Sequence, residues 1–345
     1  MAYTTINKST DYFNTKLYTG TGSGQNITVG FQPDWSWIKI RNIADSHVLV
    51  DSVRGATKFL QSNNGSAETT SSSFVQAFTS DGLTLGGNQG TSSSSNTYAS
   101  WNWLASNTTA SNTDGSITST VSANTTAGFS IVSWTGTGAN GTIGHGLNSA
   151  PQVVIVKDRS AGFGWLFGHN SLGSWTKNLK LNETIAFETI TSTFNSTAPT
   201  SSVFSIGSSG ANNGSGNSLI AYCFAEKQGY SKFGSYTGNG NADGTFVYTG
   251  FKPAFLIIKR YDSTNNWHMY NNKVNPFNET DRPLKADTSE SEATIFGGNE
   301  LDFLSNGFKL RDTINGTNGS GASYIYMAFA EAPLVGTNNV PCTAR

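Results

Sequence analysis

The chain has 345 residues, a length that suits two or three domains, and only 12% are charged, about half the ~25% of an ordinary soluble protein. An aromatic content of 12% excludes a disordered solvating chain, and a net charge of −1 leaves no electrostatic footprint for nucleic acid. No apolar run approaches the ~18–20 residues of a membrane span, so no membrane insertion is expected.

The opening MAYTTINKST has neither a basic nor an apolar signal region, so synthesis without a secretory signal is expected. Two cysteines, Cys223 and Cys342, make no disulfide scaffold, and the four histidines do not cluster. No metal and no cofactor are expected from such a pattern.

In chain order, the predicted elements are short strands bounded by Gly, Pro, Asn and Ser, and they recur. Residues 1–12 precede the pattern and read as an N-terminal anchor segment. The first unit, 13–106, carries Tyr18-Thr19-Gly20-Thr21-Gly22, then Gly30-Phe31-Gln32-Pro33 leading into WSWIKIR, and closes on WNWLAS. Residues 107–127 are rich in Ser, Thr and Asn and read as a polar linker. The second unit, 128–227, repeats Trp134-Thr135-Gly136-Thr137-Gly138, then Pro151 before QVVIVKDR, and ends on AYCFAE.

Its junction with the third unit, 229–332, is only Lys227-Gln228-Gly229. There Tyr236-Thr237-Gly238-Asn239-Gly240 is followed by Gly250-Phe251-Lys252-Pro253, AFLIIKR and YMAFAE. A C-terminal tail, 333–345, shows no strand or helix signal. Six residues after each proline stands a lysine: Lys39, Lys157 and Lys259. Asp81-Gly82 and Asn306-Gly307 read as tight hairpin turns requiring positive φ, whereas the middle copy has Val203 and turns differently.

Period-two alternation with turn signals every eight to twelve residues predicts an all-β chain. The expected architecture is three tandem antiparallel β-sandwich repeats of jelly-roll type, with little helix.

Repetition is an internal control, because a position kept in every copy most economically serves the fold. Fourteen residues after each proline stand His47, Trp165 and Trp267. This aromatic either closes the core behind a loop or offers a flat face for a sugar ring. Trp267, His268, Tyr270 and Asn271 form the richest candidate glycan-stacking cluster, and Trp165, His169 and Trp175 a thinner one. Cys223, aligned with Trp103 and Ala328, is expected to face a packed layer. Glu68 and Glu292 both lie eight residues after a leucine and read as loop braces. Asp287, Glu290 and Glu292 lie close in sequence, yet nothing there argues for catalysis, and no enzyme is expected.

The phrases STDYFNTKLYTGTG, DSVRGATKFLQSN, GNGNADGTFVYTGFKPAFLIIKR, DFLSNGFKL and YIYMAFAEAP resemble the lectin-like repeats of proteins from tailed, especially marine, bacteriophages. The resemblance spans residues 9–333 and is strongest in the first and third copies. It implies a concanavalin-type β-sandwich and a virion structural or tail-fibre-like role at the particle surface, with synthesis in the host cytoplasm. Its pattern contains no catalytic residues. Expected partners are other virion proteins, host-surface glycans and further copies of the chain, a trimer being one arrangement found among fibres. The competing readings are a head decoration protein without a ligand and a polysaccharide depolymerase.

Overall fold

The computed structural model describes residues 3–292, 300–336 and 341–342, and these form an all-β protein with three four-residue α-helices. Large antiparallel sheets alternate with small ones along the chain. In the first segment the large sheet orders Phe13–Thr19, Thr97–Trp103, Trp35–Ile40, Val48–Asp51, Lys58–Leu60 and Thr69–Thr70. The third segment uses the same order in Ser231–Thr237, Ser323–Pro333, Phe251–Arg260, Trp267–Asn271 and Leu284–Lys285. The second orders Phe129–Thr135, Ser218–Phe224, Val153–Asp158, Leu166–His169, Lys177–Lys180 and Glu188–Thr189.

Each segment also contributes a small sheet. These are Gln25–Thr28 with Gly82–Leu85 and Val75–Thr79, Gly141–Gly144 with Val203–Ile206, and Phe246–Tyr248 with Gly307–Leu310 and Leu301–Leu304. An apolar cluster in each segment draws side chains from both of its sheets, such as Ile38, Val50, Leu83 and Leu85 in the first.

A fourth cluster is shared by all three segments. The alternate face of each large sheet supplies it: Trp35, Trp37, Trp101 and Trp103 from the first, Phe129, Phe167, Tyr222 and Phe224 from the second, Phe255, Trp267, Met327 and Phe329 from the third. Trp35 stacks on Tyr222 with ring centroids 4.4 Å apart, and Phe13 on Phe329 at 5.2 Å. Such pairs each add about 0.5–1.5 kcal/mol beyond the area they bury. The central strands are therefore buried on both faces, and Trp35–Ile40 reads as a continuous buried run.

Several expectations are corrected by this arrangement. Residues 107–127 are not a free linker: Ala110–Asn112 and Ser119–Asn124 add two strands to the edge of the second large sheet. Val121 points into that segment's cluster, an alternation masked by the surrounding Ser and Thr. The last strand reaches Pro333, so the tail begins inside an element. The N-terminal residues lie against the third segment, with the Tyr3 hydroxyl donating to the Gly250 carbonyl at 2.7 Å and Ile6 buried in the shared cluster.

Gly82 and Gly307 do not need positive φ. A Cβ at Gly82 would run into the Ile27 carbonyl, and one at Gly307 into that of Val247, so close strand approach demands glycine. Positive φ is used instead at Gly22, Gly138 and Gly240, at 80°, 71° and 65°, where the first strand of each copy turns out. Cys223 is buried as expected, but its register matches Asn102 rather than Trp103, since Thr19 pairs with Thr97 and Thr135 with Ser218. One extra residue after Trp103 shifts the sequence alignment. Cys223 therefore faces the second segment's own cluster, and burial raises its thiol pKa.

A charge network crosses the boundary between the first two segments. The Arg54 guanidinium donates to Asp51 and, at 3.2 Å, to Glu68, and the Tyr222 hydroxyl donates to Asp51 at 2.7 Å. Arg54 and Asp51 side chains have no exposed surface, so each needs the other. Arg54→Ala is expected to destabilise the protein by about 3–5 kcal/mol in chemical denaturation, because it strands a buried carboxylate. Tyr222→Phe removes one hydrogen bond to that carboxylate, and a smaller loss of about 1–3 kcal/mol is expected.

Candidate functional site

The repeat-wide positions meet at the boundaries between segments. In each segment the recurrent lysine is fully buried and reaches a carbonyl of the preceding segment in cyclic order. Lys39 Nζ donates to Ser289 O (3.3 Å), Lys157 Nζ to Gly65 O (3.2 Å) and Lys259 Nζ to Thr184 O (2.7 Å). Burial lowers all three ammonium groups to about 8.

The recurrent aromatic does the same. The Trp165 indole donates to the Gln61 carbonyl at 2.8 Å and that of Trp267 to Lys180 at 3.0 Å. In the first copy the Trp37 indole donates to His47 Nδ1 at 2.8 Å, which leaves Nε2 to donate to Lys285 O at 2.9 Å. Burial, reinforced by the charge of Lys39, lowers the His47 pKa to about 3, so the ring is neutral.

The glutamates complete the pattern. Glu68 accepts from Arg159 at 2.8 and 2.9 Å, and Glu292 from Arg41 at 2.8 Å. The middle copy substitutes an aromatic contact at the same boundary, Phe187 against Tyr261 with ring centroids 6.3 Å apart. Its backbone bond, Phe187 N to Tyr261 O, matches Glu68 N to Arg159 O and Glu292 N to Arg41 O.

None of the eight residues proposed from sequence for sugar stacking offers a ring face at the surface. His47, Trp165 and Trp267 are the braces just described. His169 is buried, with Nδ1 accepting from Ser171 N and Nε2 donating to Tyr326 O at 3.3 Å, and burial lowers its pKa to about 4. Trp175 packs edge-on to Phe194 at 5.2 Å. Asn271 caps a turn through Lys273 N and Val274 N. His268 lies beside Tyr270, with both ring nitrogens unpartnered and its pKa lowered to about 3 by burial and by Lys285 and Lys259. The physical reason differs by face: Trp165 and Trp267 lie on the large-sheet face that the other segments close, whereas Trp175 and Tyr270 face their own segment's cluster between its two sheets.

Tyr270 donates instead to Glu300, a buried carboxyl. Burial, helped by the Asp312 carboxylate, pushes Glu300 up to about 8 against the Tyr270 hydrogen bond. Burial likewise raises Asp312 to about 6. Of the acidic group noted in the sequence, Asp287 accepts from Trp267 N and Asn266 Nδ2, and Glu290 pairs with Lys285 at 2.8 Å.

The surface feature that sequence reasoning missed is on the third small sheet. Phe246 and Tyr248, 45% and 52% exposed, project from one face of its edge strand, with Val247 between them facing the interior. Register places Asn26 and Thr28 of the first copy, and Thr142 and Gly144 of the second, at the same two positions. The signal was available as a difference between copies rather than a similarity. Lys309, opposite Phe246, pairs with Asp243, and Arg311 pairs with Asp302 at 2.6 Å. Beside Tyr248 opens a cleft of about 360 Å³ lined by Tyr3, Glu226, Ser231, Lys232 and Thr249.

Residues 8–333 match the family described as a domain of unknown function, DUF7483. The chain belongs to this family. No curated protein matches it. The DUF7483 match spans all three segments. Among the described residues no group of three His, Cys, Asp or Glu side chains could hold a metal ion, and no helix is long and apolar enough to cross a membrane.

The pH dependence of stability follows from the sign of the Glu300 shift. Its folded value lies above 4.5, so its contribution is complete below pH 4.5 and is lost as pH rises towards 8. Glu300→Gln cannot titrate, and thermal melts between pH 5 and 8 are expected to show a smaller fall in Tm than wild type over that range. The histidines lose stability in the opposite direction, below pH 6.5, equally in both proteins.

Proposed function

We propose that the chain is a surface structural protein of a bacteriophage virion, built from three lectin-like β-sandwich repeats. In this reading it forms part of a tail fibre or tail appendage and contributes to adhesion on host-surface glycans. The repeats close into a ring, each turning a large sheet to the centre and a small sheet outward. What supports a scaffolding role is the use made of the repeated polar residues: lysine, aromatic and glutamate all tie one segment to the next. A particle-surface protein benefits from such closure, because no repeat can open without breaking two boundaries.

The observation that carries the adhesive part is the exposed Phe246–Tyr248 pair. Residues at i and i+2 on one strand lie about 6.8 Å apart on one face, a spacing on which adjoining sugar rings can stack. The neighbouring Asp243 and Lys309 supply charged hydrogen-bonding groups at its margin. Low net charge suits an adhesive surface that recognises neutral hydroxyl-rich ligands.

Immunogold labelling of intact particles with antibody to this chain is expected to mark the tail. Labelling of the head, with no binding on a glycan array, would replace this reading with that of a decoration protein. On the array, the Phe246→Ala, Tyr248→Ala double variant is expected to lose at least tenfold in affinity at unchanged Tm. Trp267→Ala is expected instead to lower Tm, since it removes a buried brace, with a cost of about 3–5 kcal/mol.

A further inference from the structure

The edge on which Phe246 and Tyr248 lie is open in its backbone as well as in its side chains. Leu310 N donates to Thr245 O and Thr249 N donates to Asn306 O, which fixes the alternation of the ladder. The N–H and C=O groups of Phe246 and Tyr248 must therefore point away from the Gly307–Leu310 strand. Among the described residues no strand pairs with them.

The same edge is handled differently in the other two copies. In the second copy, Thr142 stands where Phe246 does, and residues 116–117 cover it. Ile117 N donates to Thr142 O at 3.1 Å, and Thr142 N donates to Ser116 Oγ at 2.9 Å. Ile117 bridges Ile143 as an added strand residue. In the first copy the outward residues are the polar Asn26 and Thr28. The third copy has neither protection. Tyr3 meets the Tyr248 end through its hydroxyl alone, 3.5 Å from that of Tyr248, and adds no backbone pairing among the described residues, while Phe246-Val247-Tyr248 carries no charge and no proline. Edge strands that stay unpaired are normally blunted by such devices.

We propose that the Phe246–Tyr248 edge pairs antiparallel with the same strand of a second copy of this chain, about a two-fold axis at Val247. The argument for a second copy is self-complementarity. With Val247 opposite its twin, Phe246 of each copy faces Tyr248 of the other, and their outward N–H and C=O groups form four mutual hydrogen bonds. The same register sets each Phe246 ring beside a Tyr248 ring on the outer face, a favoured cross-strand pair. Lys309 and Asp243 neutralise each other close to the strand, so no like charges meet there. The inference concerns the edge and is independent of the adhesive reading, which uses the face.

Sedimentation velocity of the full chain, from low micromolar to near-millimolar concentration, tests it. Wild type is expected to shift reversibly from monomer to dimer. Phe246→Pro deletes one outward N–H per copy and spares the inward ladder, and it is expected to shift the midpoint at least tenfold to higher concentration. Phe246→Lys, which keeps the backbone donor but brings two cations together, is expected to do the same and covers the case in which the proline variant fails to fold. A wild type that stays monomeric throughout, or a dimer unmoved by a folded Phe246→Pro or by Phe246→Lys, would overturn the proposal.

Discussion

The structure depends on one constraint: three aromatic-rich sheet faces must be hidden from water, and only the other two segments can hide each of them. Trp35, Tyr222 and Phe255 come from different segments and lie in one cluster. Their burial removes large apolar areas from water and holds the segments at fixed distance. Each segment also has a cluster of its own, so closing the centre adds a second apolar layer to strands already buried on one side.

That constraint explains where the few charges and polar groups go. Buried polar atoms must be paired, and at the boundaries the available partners are carbonyls of the preceding segment. Lys39, Lys157 and Lys259 each satisfy such carbonyls at the cost of a lowered ammonium pKa. Arg54 is more extreme, since its partners Asp51 and Tyr222 come from two segments. A low overall charge thus coexists with charged groups placed inside, where they fix register between segments instead of solvating a surface.

Much of this was legible in the residues. The glycine, proline and lysine anchors recur at matched spacing because each performs the same backbone or bracing task in each copy. Glu68 and Glu292 were readable as braces for the same reason, although their arginine partners, more than 90 residues or across the chain away, were not. The site residues went astray through the aromatics. A tryptophan that recurs beside polar loops looks the same whether it lines a groove or plugs a boundary, and Trp165 and Trp267 plug boundaries. Repetition marks what the fold needs, so the exposed pair was to be found among positions that differ.

The sequence by itself determined the all-β class and the short strand spacing, because alternation and turn residues are local properties. Tertiary structure decided which face of each large sheet is buried a second time. It decided that 107–127 joins a sheet, and that Phe246 and Tyr248 stand outside while Trp267 does not. Those outcomes follow from contacts between residues far apart in the chain, and a local pattern carries no record of what will pack against it.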